Sequence, residues 1–133
     1  MNQVPAVIQD VKQGNYMALV SAEAAGYLWR LMLLEYKDSQ ERLAPGKAVF
    51  LVFKETELIL LKTSDDKTLS LINQIPARIK ELQQGDFMAK VVLAVGRETV
   101  KGVFLKETVE KMDLKEGQKL FFSVKSNEIA LLY

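Results

Sequence analysis

The chain writes one segment twice. "NQVPAVIQDVKQGNYMALV" begins at Asn2, and "NQIPARIKELQQGDFMAKVV" begins 71 residues later at Asn73. The same offset pairs Gln3 with Gln74, Pro5 with Pro76, Ala6 with Ala77, Ile8 with Ile79, Gly14 with Gly85 and Met17 with Met88. It still holds far downstream, without a gap, at Leu34 and Leu105, Gly46 and Gly117, Phe50 and Phe121, Lys54 and Lys125, and Glu57 and Glu128. Self-similarity sustained at one period marks a duplicated structural unit. We read residues 1–63 as a first module, 64–72 as a linker and lead-in, and 73–133 as a second module.

Each copy carries the same local signals. In "QIPARIKEL", Ile75, Ala77 and Ile79 alternate with other residues, as one face of a half-buried strand does. "KQGN" and "QQGD" place glycine where a turn needs positive φ. "YMALVSA" and "FMAKVVLA" return as second strands, and "YLWRLMLL" and "TVKGVFL" read as third strands. "KETVEKMDLKEGQ" predicts one short helix running into a turn, with Thr108 as its N-cap. "KAVFLVFKETELILL" and "KLFFSVKSNEIALLY" are each two strands split by a Lys-x-x-Glu turn. Five strands and one short helix in about 60 residues is the plan of a small OB-like barrel. The expected class is all-β with short helices, in two tandem five-stranded barrels.

A barrel this small buries little apolar surface by itself, so a second copy supplies something to pack against. About half the residues are hydrophobic and about a quarter charged, an ordinary globular balance. The net charge of +1 gives no broad attraction to nucleic acid or to an anionic membrane. The chain has no cysteine and no histidine, which removes thiolate nucleophiles, imidazole bases and the common zinc ligands. No apolar run approaches the roughly 18 residues of a membrane span, and no signal-peptide pattern opens the chain. The expectation is a cytoplasmic binding protein rather than an enzyme, without nucleic-acid partners or membrane insertion.

The stretch "FLKETVEKMDLKEGQKLFFSVKSNEIAL" resembles the molybdenum-pterin-binding (Mop, TOBE-like) module. That module has a strand, a short acidic helix and turn, and strands around a Lys-Ser or Lys-Ala pair. Ser70-Leu71-Ile72-Asn73-Gln74 stands in register with the family's Ser-Ala-Arg-Asn-Gln opening. A gapless tandem is similar to the di-Mop form of molbindin and to the effector-binding half of the molybdate-responsive repressor. No helix-turn-helix segment precedes it in the sequence. The resemblance implies an OB-like fold and reversible binding of molybdate or tungstate between modules, for storage or homeostasis, or of a molybdopterin form of the metal. It also implies a homo-oligomer, a trimer by likeness to molbindin or a dimer by likeness to the repressor.

A tetrahedral dianion is strongly hydrated and needs its water replaced by donors. Hydrogen bonds to charged groups contribute about 1.5–3 kcal/mol each, and micromolar binding is roughly −8 kcal/mol. About four donors are therefore required. On the family pattern Lys125 supplies an ammonium, Ser126 a hydroxyl and backbone N–H, and Ser70 and the Asn73 backbone complete the site from a neighbouring module. Lys54 and Asn2 are the first-copy counterparts of Lys125 and Asn73. Two departures weaken the pattern. The family arginine falls on Ile72, and Lys54 is followed by Glu55, whose carboxylate opposes an anion. These departures support an alternative reading, a ligand-free interaction module related to molybdate transport or regulation.

Outside that resemblance, Lys54 and Lys125 read as solvated lysines before turns, and Asn2 and Asn73 as turn residues bonding local backbone. Gln3 and Gln74 read as exposed. Trp29, Tyr16, Phe87, Phe121 and Phe122 lie in apolar stretches without a basic stripe, which favours core packing over base stacking. Glu107 and Glu110 read as solvated on the short helix. The exit strands, apolar on both faces, call for cover beyond the barrel's own core.

Overall fold

The computed structural model describes residues 1–34, 43–65 and 67–133. The first module contributes β1 (Asn2–Gln13), β2 (Met17–Ala24), β3 (Tyr27–Leu34), β4 (Ala48–Phe53) and β5 (Ile59–Leu61). The second contributes β6 (Ile75–Gln84), β7 (Met88–Val95), β8 (Glu98–Leu105), the helix α1 (Lys106–Lys111), β9 (Lys119–Ser123) and β10 (Ala130–Leu132). Period-two alternation places Val4, Ala6 and Ile8 of β1, and Ile75, Ala77 and Ile79 of β6, inside. The register shifts between Ile8 and Asp10 and between Ile79 and Glu81, so both copies carry a bulge at the same point. Bulges bend a strand and sharpen its twist, which lets one long strand serve two parts of a curved sheet. Beyond each bulge the chain returns through a glycine at φ +90 (Gly46) or +86 (Gly117), whose N–H donates to the carbonyl of Ile8 or Ile79.

The helix departs from expectation at its start. It begins at Lys106, with Leu105 as N-cap and no side-chain cap, so Thr108 lies inside it. The Lys106 N–H instead donates to the Phe87 carbonyl at 2.8 Å, which anchors the first turn to the β6–β7 hairpin. The corresponding stretch of the first copy falls largely outside the described residues. Both Lys-x-x-Glu segments form single 3-10 turns, Glu55–Glu57 and Ser126–Glu128. Among the described residues no helix is long and apolar enough to cross a membrane.

The two sheets are antiparallel, and each has five strands, but neither is built from one module alone. One sheet runs β10-β4-β1-β2-β3 and the other β5-β9-β6-β7-β8. The last strand of each copy has crossed to the other. In β10, Ala130 and Leu132 face Val52 and Phe50 of β4, while in β5, Ile59 and Leu61 face Ser123 and Phe121 of β9. The sequence repeat and the spatial unit therefore differ by one strand. Each copy completes the other.

A shared core follows from this exchange. Trp29 is fully buried, its indole N–H donating to the Ala24 carbonyl at 3.0 Å. Its ring lies 5.8 Å from Phe53 of its own copy and 5.6 Å from Phe122 of the other. Its counterpart at the 71-residue offset is Val100, so one large ring crosses the pseudo-symmetric junction. Trp29 and Phe122 meet the expectation of core packing, and Phe121 is half-buried. Tyr16 and Phe87 do not. They are 69% and 81% exposed, because each follows the Gly-Asn or Gly-Asp turn at the tip of its first hairpin, beyond the end of the core.

Removing residues 130–133 tests the exchange. Amide hydrogen exchange is expected to accelerate along β4, in the first module, while β9 keeps its protection from β5 and β6. Loss of protection confined to β9 would show that the last strand closes its own copy.

Candidate functional site

The two modules meet through a pair of asparagines. Asn73 is buried, and its Oδ1 accepts the Arg30 N–H at 2.7 Å while its Nδ2 donates to the Arg30 carbonyl at 2.8 Å. The same Nδ2 donates to the Val124 carbonyl at 3.1 Å. Asn2, also buried, makes the matching pair with Lys101, donating to its carbonyl and accepting its N–H, both at 2.8 Å. Both bonds are long-range, not the local turn bonds the sequence suggests. The reason lies in the sheets. Arg30 is on β3 and Lys101 on β8, the outer strands of the two sheets, whose free edges expose unpaired backbone groups. A side-chain amide copies a peptide group, so one asparagine satisfies an N–H and a C=O of the same edge residue.

At the second junction this brings several candidates together. Asn73 ties the Arg30 backbone to Val124, the residue immediately before Lys125 and Ser126. The turn Ser126–Glu128 packs against β3. Lys125 is exposed and Ser126 half-buried. Beside the junction a hollow of about 540 Å³ is lined by Arg30, Ser70 and Ile72 together with Leu69 and Leu71. Ile72, standing where the family has arginine, is 59% exposed and carries no charge, yet Arg30 lines the same hollow. Sequence reading missed Arg30. A signal was available, since the repeat offset aligns Arg30 with Lys101 and so places a cation at this position in both copies.

The first junction is built to the same plan with different electrostatics. Lys54 is exposed before the turn Glu55–Glu57, which packs against β8. Glu55 stands where the second copy has Ser126, and its carboxylate accepts from the Met1 ammonium at 3.3 Å. A carboxylate held in this place lowers the attraction for an anion, and its ion pair competes for the positive charge nearby. The second junction is the stronger candidate on charge alone.

The linker is also ordered by side chains. Gln74 is not exposed as expected; its Nε2 donates to the carbonyls of Asp65 and Leu71 at 2.6 and 2.7 Å, and its Oε1 accepts the Asp65 N–H at 2.7 Å. Asp65 in turn accepts the Thr68 hydroxyl and the N–H groups of Thr68 and Lys67. The Thr68 hydroxyl, with these two N–H groups, holds the Asp65 carboxyl below its usual range. The stretch bearing Ser70 is therefore tied down at both ends, by Gln74 and by the Asp65 turn.

Replacing Asn73 with leucine removes three hydrogen bonds and leaves partly buried backbone groups unpaired. At roughly 1 kcal/mol or more per bond the loss is expected near 2–4 kcal/mol. Asn2→Leu removes two bonds and is expected to cost less. Urea unfolding of both variants checks this; equal midpoints to the parent would show that the clamps contribute nothing.

Comparisons with known proteins bear on the fold. The family described as TOBE domain matches residues 70–131. No curated protein matches the sequence. Among solved structures, the chain superposes on the cytoplasmic molybdate-binding protein ModG, in its form grown from PEG with molybdate bound, with a TM-score of 0.89. The two share 24% identity over 98% of this chain and 94% of that one. Residues 70–131 thus match the TOBE domain in sequence, the first copy repeats that stretch at a constant offset, and the chain has the OB-like fold of ModG.

Proposed function

We propose that this chain is a binding protein for molybdate, with tungstate as a close substitute, serving storage or homeostasis of the oxyanion. The observation that carries the reading is the Asn73 bridge. One buried amide fixes the backbone at Arg30 against the backbone at Val124, and so sets the Lys125–Ser126 turn against the strand bearing Arg30, beside the hollow that Ser70 lines. Arg30 and Lys125 bring two cations, and the Ser126 and Ser70 hydroxyls bring donors. With backbone N–H groups this approaches the four or so donors a dianion requires. The likeness to ModG, described as binding molybdate, supports the same reading. Lys54, Asn2 and Lys101 form the weaker counterpart at the first junction.

We further propose a homo-oligomer, a trimer ahead of a dimer, in which a neighbouring subunit completes the sites. Supporting this are pseudo-equivalent exposed apolar groups in both copies, Tyr16, Met17 and Leu34 in one and Phe87, Met88 and Leu105 in the other. Such patches on a soluble chain favour contact with another surface. A ligand-free interaction module remains the second reading, favoured by Ile72 and Glu55.

Calorimetry with molybdate, tungstate and sulfate tests the first proposal. Heat is expected with molybdate and tungstate, and Lys125→Ala or Arg30→Ala is expected to weaken binding by roughly ten- to a hundredfold. No heat with any of the three at millimolar concentration would sink the function and favour the second reading. Light scattering tests the assembly, with a mass near three times 15.0 kDa expected. A 15.0 kDa monomer that binds molybdate would refute completion by a neighbouring subunit.

A further inference from the structure

The two copies carry equivalent pockets on their outer sheet faces, and these pockets have diverged in charge. The second-copy pocket, about 480 Å³, lies over β6 and β9 with Pro76, Leu120 and Phe121 as its apolar floor. The first-copy pocket, about 320 Å³, lies over β1 and β4 with Pro5, Val49 and Phe50 at the corresponding positions. Around the second pocket stand Lys62, Arg78 and Lys119, and among the described residues no carboxylate lines it. Around the first, the residues at the same offset are Tyr133, Val7 and Ala48, and Glu23 is present where the second copy has Ala94. Every one of these four differences moves the second pocket toward positive charge.

The placement is costly without an occupant. Arg78 and Lys119 are directly opposite each other across β6 and β9, and like charges in that position destabilise a sheet. The equivalent first-copy pair is Val7 with Ala48, which is neutral. On its other side Arg78 faces Ala94, whereas Val7 faces Glu23, so the residue that would neutralise the cation is missing where the cation is present. Among the described residues none of Lys62, Arg78 and Lys119 is in an ion pair. Lys62 arrives by the strand exchange, since it follows β5, which has crossed to lie beside β9. Tyr27 of the first module forms part of the wall.

We propose that this pocket binds a small organic anion in which a doubly charged group is joined to a flat apolar body. Arg78, Lys119 and Lys62 receive the charge, and the body lies on Phe121 and Pro76 beside Tyr27. The volume suits such a molecule, falling within the roughly 300–1,000 Å³ typical of small-ligand sites. The apolar floor distinguishes it from a site for a bare oxyanion, which would leave that floor uncovered. The pocket shares no residue with the Lys125–Arg30 junction.

Adenosine monophosphate, which combines a dianion with a flat ring, is the probe, and adenosine and inorganic phosphate are its two parts. Calorimetry is expected to show binding of the monophosphate, with each part at least about tenfold weaker. Backbone amide shifts in NMR are expected to gather on β6 and β9. The double variant Arg78→Val with Lys119→Ala carries the first copy's own residues, so the fold tolerates them on the same scaffold. It is expected to weaken the monophosphate about tenfold or more and to leave molybdate binding as it was. No binding at millimolar monophosphate would overturn the proposal, as would binding that the double variant leaves unchanged. Phosphate alone binding as tightly as the monophosphate would refute the role of the floor. A changed oligomeric mass in the variant, without anion binding in the parent, would assign the face to contact between copies and overturn the proposal as well.

Discussion

Backbone groups at a sheet edge must find partners, and most of this structure follows from how the two copies meet that demand. A five-stranded sheet has two open edges, and a buried peptide group without a partner costs about as much as a lost hydrogen bond. Here one copy lends its last strand to the other, which places β10 beside β4 and β5 beside β9. At the opposite edges, β3 and β8, single asparagines from the other copy do the same work at one residue each. The edges of one module are therefore finished by the other. Separation of the modules would expose ladder groups as well as the Trp29 core, so the pair forms as a unit.

That coupling has a chemical consequence. The amide that caps β3 also reaches Val124, so the device that joins the modules positions the turn beginning at Lys125. Charge that is diluted to +1 over the whole chain becomes local where Arg30 and Lys125 are brought to one junction. A small dianion needs that concentration, because hydration is replaced by a few donors at close range and not by a diffuse field. The rigidity of the junction comes from the backbone bonds of Asn73.

The duplication also freed the copies to differ. The backbone repeats closely, down to the bulge after Ile8 and Ile79 and the glycines at 46 and 117. Side chains outside the shared core do not. Glu55 replaces Ser126 at one junction, and Val7 with Ala48 replaces Arg78 with Lys119 on the outer face. In each case the carrier of positive potential is the second copy. Main-chain pairing constrains φ, ψ and the inward residues, whereas outward positions at the same register carry no such constraint, so divergence of charge concentrates there.

Much of the fold was legible in the sequence, for a definite reason. The alternation in "IPARIKEL", the positions of the hairpin turns and the Lys-x-x-Glu breaks report local geometry, which neighbouring residues determine, although neither Gly14 nor Gly85 takes the positive φ expected of it. The offset of 71 residues established two copies without any structure. Sequence alone could not say which copy owns β5 and β10, because an apolar strand pairs equally well with either of two homologous sheets and only the path through the linker decides. It left Asn2 and Asn73 open between a site role and local turn bonds, and their bonds across the modules went unread, since an amide bond to a residue 43 or 99 positions away leaves no local trace. Tyr16 and Phe87 read as core because apolar residues flank them, yet a turn tip has nothing beneath it to pack on. In sequence Arg30 stood out only as a cation that the offset repeats at Lys101, and its place at the junction needed β3 to be seen against the lead-in of the other module. The residue types at the junction were determined by sequence, and their meeting was decided by edge pairing in three dimensions.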